Sequence, residues 1–404
     1  MKFAEARAIR DYCLGIFDGP HATPRESADG PIFLGIKNIT ERGSLDFSDV
    51  RHVSEEEFGR WTRRVTPQTG DVVFTYEATL HRYALIPEGF RGCLGRRVAL
   101  VRPDPEKADG RYLLYYFLSD SWRRVINSNV MTGATVDRIP LERFPSFPAV
   151  LPSLRMQRRI ADVLSGYDDL IENNRRRMAL LEDASRQLYR EWFVRLRFPG
   201  YEHTRITNGM PEGWDTHSLN DVCLIGRGAS PRPIDDFMGG EIPWFKIGDA
   251  TASEGPFILR TEEHVTDDGA KKSVLLQPGA LILSNSATCG IPYFTAVMGC
   301  VHDGWLHFAD FKRVSQRFLY CFLWFKREEL VSSVGDGSTQ KNLNTAAVGR
   351  LKLTLPPSDA LLTQFDDAVS PMFAMVLILA TQNRELRTAR DLVLPRLMSG
   401  AIAV

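Results

Sequence analysis

At 404 residues, with 44% apolar and 25% charged side chains, the chain is long enough for two or three domains with full cores, and its composition is not that of a disordered polymer. Fifty Lys and Arg against fifty Asp and Glu give a formal net charge of zero, which excludes a protein that grips nucleic acid by bulk charge and leaves only a clustered basic patch. Six scattered cysteines with no C-x-x-C pair argue against a zinc ribbon, a thioredoxin-type site and a secreted disulfide scaffold.

No run of about 18 apolar residues marks a membrane span. The charged start MKFAEARAIRDY is unlike a signal peptide, so a reducing cytoplasm is the expected location and no membrane is expected as a partner. In chain order, the first half enters through AIRDY (8–12), carries GPIFLGIKNI (30–39) and TPQTGDVVFT (66–75), and leaves through GATVDRI (133–139) and AVLPS (149–153). The second half repeats the series in the same order: SLNDV (218–222), EIPWFKIGDA (241–250), LLQPGALILS (275–284), GSTQKNL (337–343) and LTLPPS (353–358). A period near half the chain means two copies of a domain, not a solenoid.

Each copy reads as mixed α and β. Val72–Phe74 and Leu281–Leu283 are short apolar runs entered through Gly, as buried strands are, and Arg97–Arg102 alternates into a further strand that stops at Pro103. Tyr112–Leu118 and Phe318–Phe325 carry aromatics at helical spacing and are expected to be core helices, not base-stacking platforms.

A long helix is predicted after each copy. Pro152 can open the first, and from Leu154 to Val194 there is no proline and a single glycine. Ile160, Leu164, Tyr167, Ile171, Asn174, Met178, Leu181, Ser185, Leu188 and Trp192 alternate in fours and threes, a heptad seam. Pro199-Gly200 ends it, and the polar run to Gly213 reads as a linker. The second helix keeps the rhythm through Leu361, Phe365, Ala368, Met372, Met375, Leu379, Gln382, Leu386, Ala389 and Val393, with Pro371 expected to kink or break it. One amide stands in each seam, Asn174 and Gln382, where a buried polar residue costs stability and fixes register. Long amphipathic helices must bury their seams, and the economical partner of each is the other, packed antiparallel. The expected fold is therefore α+β. It has two mixed α/β domains (1–150 and 199–356), separated by two long antiparallel coiled-coil helices (151–198 and 357–404), in a pseudo-twofold internal repeat resembling a dumbbell with neighbouring termini.

No catalytic or metal-binding constellation stands out. There is no G-x-x-x-x-G-K-[ST] loop and no H-E-x-x-H, and Gly226-Arg227-Gly228 lacks the third glycine of a dinucleotide loop. His302-Asp303 with His307 reads as polar loop residues, and Leu355-Pro356-Pro357-Ser358 lacks the side-chain amide of an adenine methyltransferase motif. A binder or scaffold is the expectation.

The segment LPSLRMQRRIADVLSGYDDLIENNRRRMALLEDASRQLYREWF (151–193) resembles the central helical region of the specificity (S) subunits of type I restriction–modification systems. NRELRTARDLVLPRLMSG (383–400) is similar to the distal helical region of that family. DGPHATP (18–24), IPWFKIGD (242–249) and GSTQKNL (337–343) resemble its target-recognition motifs, whereas GATVDRI lacks the Gln-Lys pair seen as Gln340-Lys341. The resemblance implies a non-catalytic subunit in which each globular copy reads one half of a bipartite target in double-stranded DNA. The helices would set the spacer and dock two methyltransferase (M) subunits, with Arg175–Arg177 as one docking candidate. It also implies no cofactor in this chain: S-adenosylmethionine sits on the M subunits, and ATP and Mg on restriction (R) subunits where the system is complete.

For DNA contact the candidates are Lys37, Arg82, Arg91, Arg96 and Arg97 in the first copy. In the second they are Arg227, Arg232, Lys246, Lys271, Lys272, Ser286 and Lys341, with Lys246 and Lys341 favoured because they lie inside the motifs. The competing readings are a coiled-coil adaptor joining two protein-binding modules and a fused DNA methyltransferase or nuclease component.

Overall fold

The computed structural model describes residues 5–132, 136–286, 288–333 and 343–402. The chain divides into two compact units, Met1–Asp169 with Leu386–Val404, and Leu170–Glu385, so the division falls inside both long helices.

In unit 1 a four-stranded sheet runs in the order Cys13–Asp18, Val98–Pro103, Val72–Thr75, Tyr83–Leu85. The run Val72–Thr75 is buried throughout as one of the two strands with neighbours on both sides, and Val73 faces Leu100 across the antiparallel ladder. A second sheet orders Arg51–His52, Ser27–Leu34, Gly92–Leu94, the last two being parallel. The aromatic helix Gly110–Leu118 is capped by Asp109, which accepts from the Tyr112 amide, and it buries Tyr112, Leu113, Tyr116 and Phe117 in the core with Trp122 and Phe144. The expected strands and the core helix are thus in place.

Unit 2 repeats this plan. Its larger sheet orders Leu224–Arg227, Trp305–Ala309, Leu281–Ser284, Pro292–Thr295, Phe257–Ile258, and its smaller one Glu263–Val265, Met238–Phe245, Gly299–Val301, Val274–Leu276, again with a parallel central pair, Met238–Phe245 and Gly299–Val301. The helix Gln316–Phe325, capped by Ser315, buries Phe318 through Leu323. The stretch read as a linker folds locally into a short hairpin, Ile206–Thr207 with Met210–Pro211.

The first long helix spans Leu154–Tyr189 and widens into a π turn at Arg190–Val194. Ser153, not Pro152, supplies the carbonyl that starts it, accepting from Met156 and Gln157. The second spans Ala360–Met398 without a break at Pro371. Proline removes the N–H that would bond Asp367, but Pro371 and Asp367 are exposed, so water can satisfy the freed carbonyl.

Within unit 2 the helices pair antiparallel. Asn174 Nδ2 donates to Asn383 Oδ1 at 3.0 Å, Met178 packs with Val376, Leu379 and Ala380, and Tyr189 meets Phe365 at 6.2 Å between ring centroids. Within unit 1 Arg390 bonds Asp168, and Leu397 joins the cluster that holds Ile160, Ala161 and Leu164. Both described chain ends belong to this unit.

Along the first helix Ile160, Leu164, Ile171, Asn174 and Met178 are buried, with Tyr167, Leu181 and Leu188 at the margin and Tyr189 as the buried neighbour of Leu188. Along the second the seam shifts by one residue. Phe365 and Leu379 are buried as expected and Leu386 is half-buried, but Met375 and Gln382 are exposed, and Leu362, Val369, Val376 and Asn383 take the core. The stretch 368–380 is apolar on nearly every face, so hydrophobicity alone draws two adjacent seams there.

Each unit's aromatic helix is pinned to a long helix by the same kind of joint. Tyr115 Oη donates to Asp168 at 2.6 Å and Arg111 bonds Asp162 at 2.8 Å in unit 1. Tyr320 Oη donates to Glu182 at 2.6 Å and Arg317 lies 3.2 Å from Asp366 in unit 2. Burial and the adjoining carboxylate both raise the ionisation of Tyr115 and Tyr320 far above the ordinary phenol range, so both remain donors.

Candidate nucleic-acid interface

Parallel strands deliver their carboxyl ends to the same place. In unit 1 Leu34 and Leu94 leave the sheet together, tied by the Gly95 amide donating to the Leu34 carbonyl at 2.8 Å. The chain then turns through Ile36–Asn38, where the buried Asn38 accepts from the Gly35 amide at 3.0 Å and donates to the carbonyls of Asp46 and Asp49. Gly19, just past the strand Cys13–Asp18, closes against this corner, and a Cβ there would lie 2.5 Å from the Gly95 carbonyl oxygen. Only glycine fits such a backbone approach.

Unit 2 builds the same corner from different residues. Phe245 and Val301 exit together, Asp249 accepts from the Lys246 amide at 2.7 Å as Asn38 does from Gly35, and Gly228 takes the place of Gly19. The Gly228 amide donates to the Trp305 carbonyl at 2.9 Å, and a Cβ would meet the His302 carbonyl oxygen at 2.1 Å. The dismissed Gly226-Arg227-Gly228 is therefore a close-packing motif.

At the unit 1 corner the structure gathers Lys37, Arg82, Arg96 and Arg97. Lys37 pairs with Asp49, Arg82 reaches the Ile39 carbonyl and Glu41 at 3.5 and 3.2 Å, and Arg97 lies 3.0 Å from Glu77. Arg96 is exposed and has no ion pair among the described residues. Arg91 stands at the opposite end of the strand Gly92–Leu94, forked onto Glu55 and 5.0 Å above the Phe58 ring, and is not brought to the group.

At the unit 2 corner Arg227, Lys246 and Ser286 converge. Arg227 Nε donates to the Asp303 carbonyl at 2.8 Å, Lys246 pairs with Glu263, and Ser286 lines Gly304. Arg232 is exposed on the loop after Gly228. Lys271 is paired with Asp268 at 2.8 Å, and Lys272 sits 4.2 Å over the Phe237 ring. Lys341 lies outside the described residues, as do the rest of 337–342 and Gly133–Thr135.

Asp303 is a hub that the sequence did not reveal. Its carbonyl accepts from Arg227 and from Asn285 Nδ2 at 3.0 Å, and its carboxylate accepts from Ser230 Oγ at 2.7 Å. The three partners come from two segments, 227–230 and the stretch at Asn285, both remote from Asp303 in sequence, so no spacing announces them. Burial holds the neighbouring His302 imidazole below its ordinary range, which leaves it neutral beside Trp244 and Trp305. The exposed pairs around both corners are each worth no more than about 1 kcal/mol, and a phosphate can replace the acid at little cost.

Burial pushes the thiols of Cys13, Cys93, Cys223 and Cys321 up to about 12, where they are poor nucleophiles. Among the described residues no group of three His, Cys, Asp or Glu side chains is placed to hold a metal ion. Arg175, a docking candidate, is spent on Glu254 within unit 2, and Arg176 on Glu172 at 3.0 Å.

The family model described as the type I restriction modification DNA specificity domain matches the chain twice, over residues 36–183 and 211–368. The type I restriction enzyme MjaIX specificity subunit of Methanocaldococcus jannaschii is 25% identical, covering 98% of this chain and 89% of that relative. The HindI specificity subunit of Haemophilus influenzae is 22% identical over 67% of this chain and 72% of its own length. Among solved structures, the S subunit of a type I restriction–modification system from M. genitalium has a TM-score of 0.58 at 15% identity, covering 98% of this chain and 96% of that one, a likeness of fold.

Proposed function

This chain belongs to the type I restriction–modification DNA specificity family, and on that premise we propose that each of its two units reads one half of a bipartite target in double-stranded DNA. The observation that carries the reading is the corner built twice. One backbone frame, with the same side-chain-capped turn and the same glycine approach, presents different polar side chains in the two copies. Base edges are told apart by the identity of the side chains that meet them, while a shared frame serves the shared shape of the duplex.

The paired long helices set the number of unread base pairs between the half-sites. At 1.5 Å per residue the 36-residue helix rises about 54 Å, more than the ~34 Å of one duplex turn. Their outward faces dock the methyltransferase subunits. The second helix is apolar enough by length and composition to cross a membrane, yet only 28% of its most apolar window is buried. Its exposed Met375 and Ile378, one turn apart, suit an apolar protein partner.

This chain performs no catalysis in this reading. S-adenosylmethionine belongs to the methyltransferase subunits, ATP and Mg to the restriction subunits, and the complex acts in the cytoplasm. The test is genome-wide mapping of N6-methyladenine with and without this chain. A split consensus with a fixed gap that vanishes with the chain is the expected result; an unchanged methylation pattern refutes the proposal.

A further inference from the structure

Resting on the reading of the units as DNA-binding, we infer that a cleft beside the unit 1 corner is a seat for a backbone phosphate, held by Arg60 and Arg63. The loop that begins at Gly19 and the segment that ends the short helix Glu55–Trp61 enclose a cavity of about 200 Å³, lined by Pro20, Ala22, Arg60, Trp61, Arg63 and Arg64. Trp61, which lines it, is buried, and its buried indole N–H has no hydrogen-bond partner among the described residues. Three exposed arginines within five residues gather positive charge beside this space.

Acids nearby answer only part of this charge. Arg64 is bonded to Asp18, which also accepts from His21 at 3.0 Å. Glu57 reaches Arg60 only at 3.9 Å, with Arg60 70% exposed, and Arg63 has no ion pair among the described residues. A tetrahedral dianion or a phosphodiester fits the cavity and supplies the acceptor oxygens that two guanidinium groups lack.

The second copy gives an independent argument. Its counterpart of the short helix is Asp267–Lys271, capped by Thr266 as the first is by Ser54. There too the helix end meets the glycine loop, with Ser273 Oγ donating to the Ala229 carbonyl at 2.6 Å. The basic residues near that joint are Lys271, paired with Asp268, and Lys272, over the Phe237 ring, with Arg232 exposed on the loop after Gly228. Two copies that share little sequence at this joint both place cations there. A role in reading bases would call for different chemistry in each, whereas a phosphate calls for positive charge in both.

The test uses the assembled complex with its methyltransferase subunits, and two duplexes, one carrying the mapped target and one scrambled. Each phosphate contact contributes about 0.9 to the slope of log affinity against log salt. Replacing both residues that hold this one phosphate, Arg60→Gln with Arg63→Gln, should therefore flatten the slope by about 0.9 on both duplexes. That corresponds to roughly 8-fold weaker binding at 0.1 M salt and parity near 1 M. The methylated consensus should not change, and Arg63→Lys, which keeps the charge, should retain the parental slope.

An unchanged slope overturns the inference. So does a loss confined to the target duplex or a relaxed position in the consensus, because either would make these residues base readers. Thermal unfolding of the Arg63→Gln single variant, whose side chain makes no ion pair among the described residues, separates a folding defect from lost contact. If the parental complex itself fails to distinguish the two duplexes, the bipartite reading fails, and the slope of the scrambled duplex still decides the phosphate seat.

Discussion

Replacing Asn174 or Asn383 with leucine should cost far more singly than together. Asn383 is fully buried and Asn174 is 6% exposed, and Asn383 also donates to the Ile171 carbonyl at 3.2 Å. Asn383→Leu removes the acceptor of the Asn174 amide, and Asn174→Leu leaves the Asn383 carbonyl oxygen without its donor. Either change strands a buried polar group, worth about 1–3 kcal/mol. The double replacement strands none and adds apolar contact beside Met178 and Leu379, so it should fall within about 1 kcal/mol of the parent or exceed it.

For a unit of this size 1 kcal/mol moves the melting temperature by about 2–4 °C. A single variant that loses about 2 kcal/mol should thus melt roughly 4–8 °C lower, and the double near the parent. Calorimetry on the full chain, following the transition of unit 2, closes the cycle. If the double variant loses as much as the sum of the singles, the pair is not a coupled buried contact and the proposed register lock is wrong. The lock should show separately: the double variant, stable but freed from one pairing, should exchange its helix amides faster under native conditions.

Other expectations follow from the same geometry. Pro371→Ala restores a helix donor at an exposed site and should raise stability by about 1–3 kcal/mol, measured by denaturant midpoint; no gain would mean the helix needs its proline. Gly228→Ala places a Cβ 2.1 Å from the His302 carbonyl oxygen and should abolish reading of one half-site, seen as a methylation consensus truncated on one side. Burial lowers the pKa of His302 and His307 in the fold, so the folded state binds fewer protons than the unfolded one as pH falls below about 6.5. Stability should therefore be full above that pH and decline below it, and replacing both with Gln should shrink the difference between melts at pH 7.5 and 5.5. Inserting one heptad between Asn174 and Leu188 should lengthen the unread gap and leave both half-sites unchanged, read from the methylated consensus.

The repeat and the helix pairing were legible because each leaves a periodic trace: GPIFLGIKNI answers EIPWFKIGDA, and Ile160 through Met178 fall on one stripe. The second seam was misplaced where the trace is saturated. From Ala368 to Ala380 nearly every residue is apolar, and only the contact with Asn174 shows that Asn383, not Gln382, is the inward amide. Of the candidate cations, those inside recognisable turns, Lys37 and Lys246, fell at the corners. Arg91 did not, because a three-residue strand separates it from Arg96 and a local reading cannot tell which end of a strand is the useful one. Asp303, Ser230 and Asn285 were invisible for another reason. Each is an ordinary loop residue, and only the fold makes them one network.

The corner explains how one frame can serve two different readings. Its fixed parts are backbone: paired parallel strand ends, a side-chain-capped turn and a glycine at which a Cβ would lie 2.1–2.5 Å from a carbonyl oxygen. Backbone packing does not depend on which side chains leave the surface. Asp18 stands where the second copy has Arg227, each immediately before the packed glycine, so one position carries opposite charge in the two units. A reversal there would be costly inside a core, but at the rim it removes only the contacts of Asp18 with Arg64 and His21, worth about 1 kcal/mol or less each, and changes what is presented. Transplanting the segment 227–233 in place of 18–24 should therefore be tolerated, with both glycines kept in register, and should alter the half-site read by unit 1 alone. A graft that unfolds unit 1, although Gly19 and Gly228 occupy matching sites, would show that the frame and its loops are not separable and that specificity is spread through the domain.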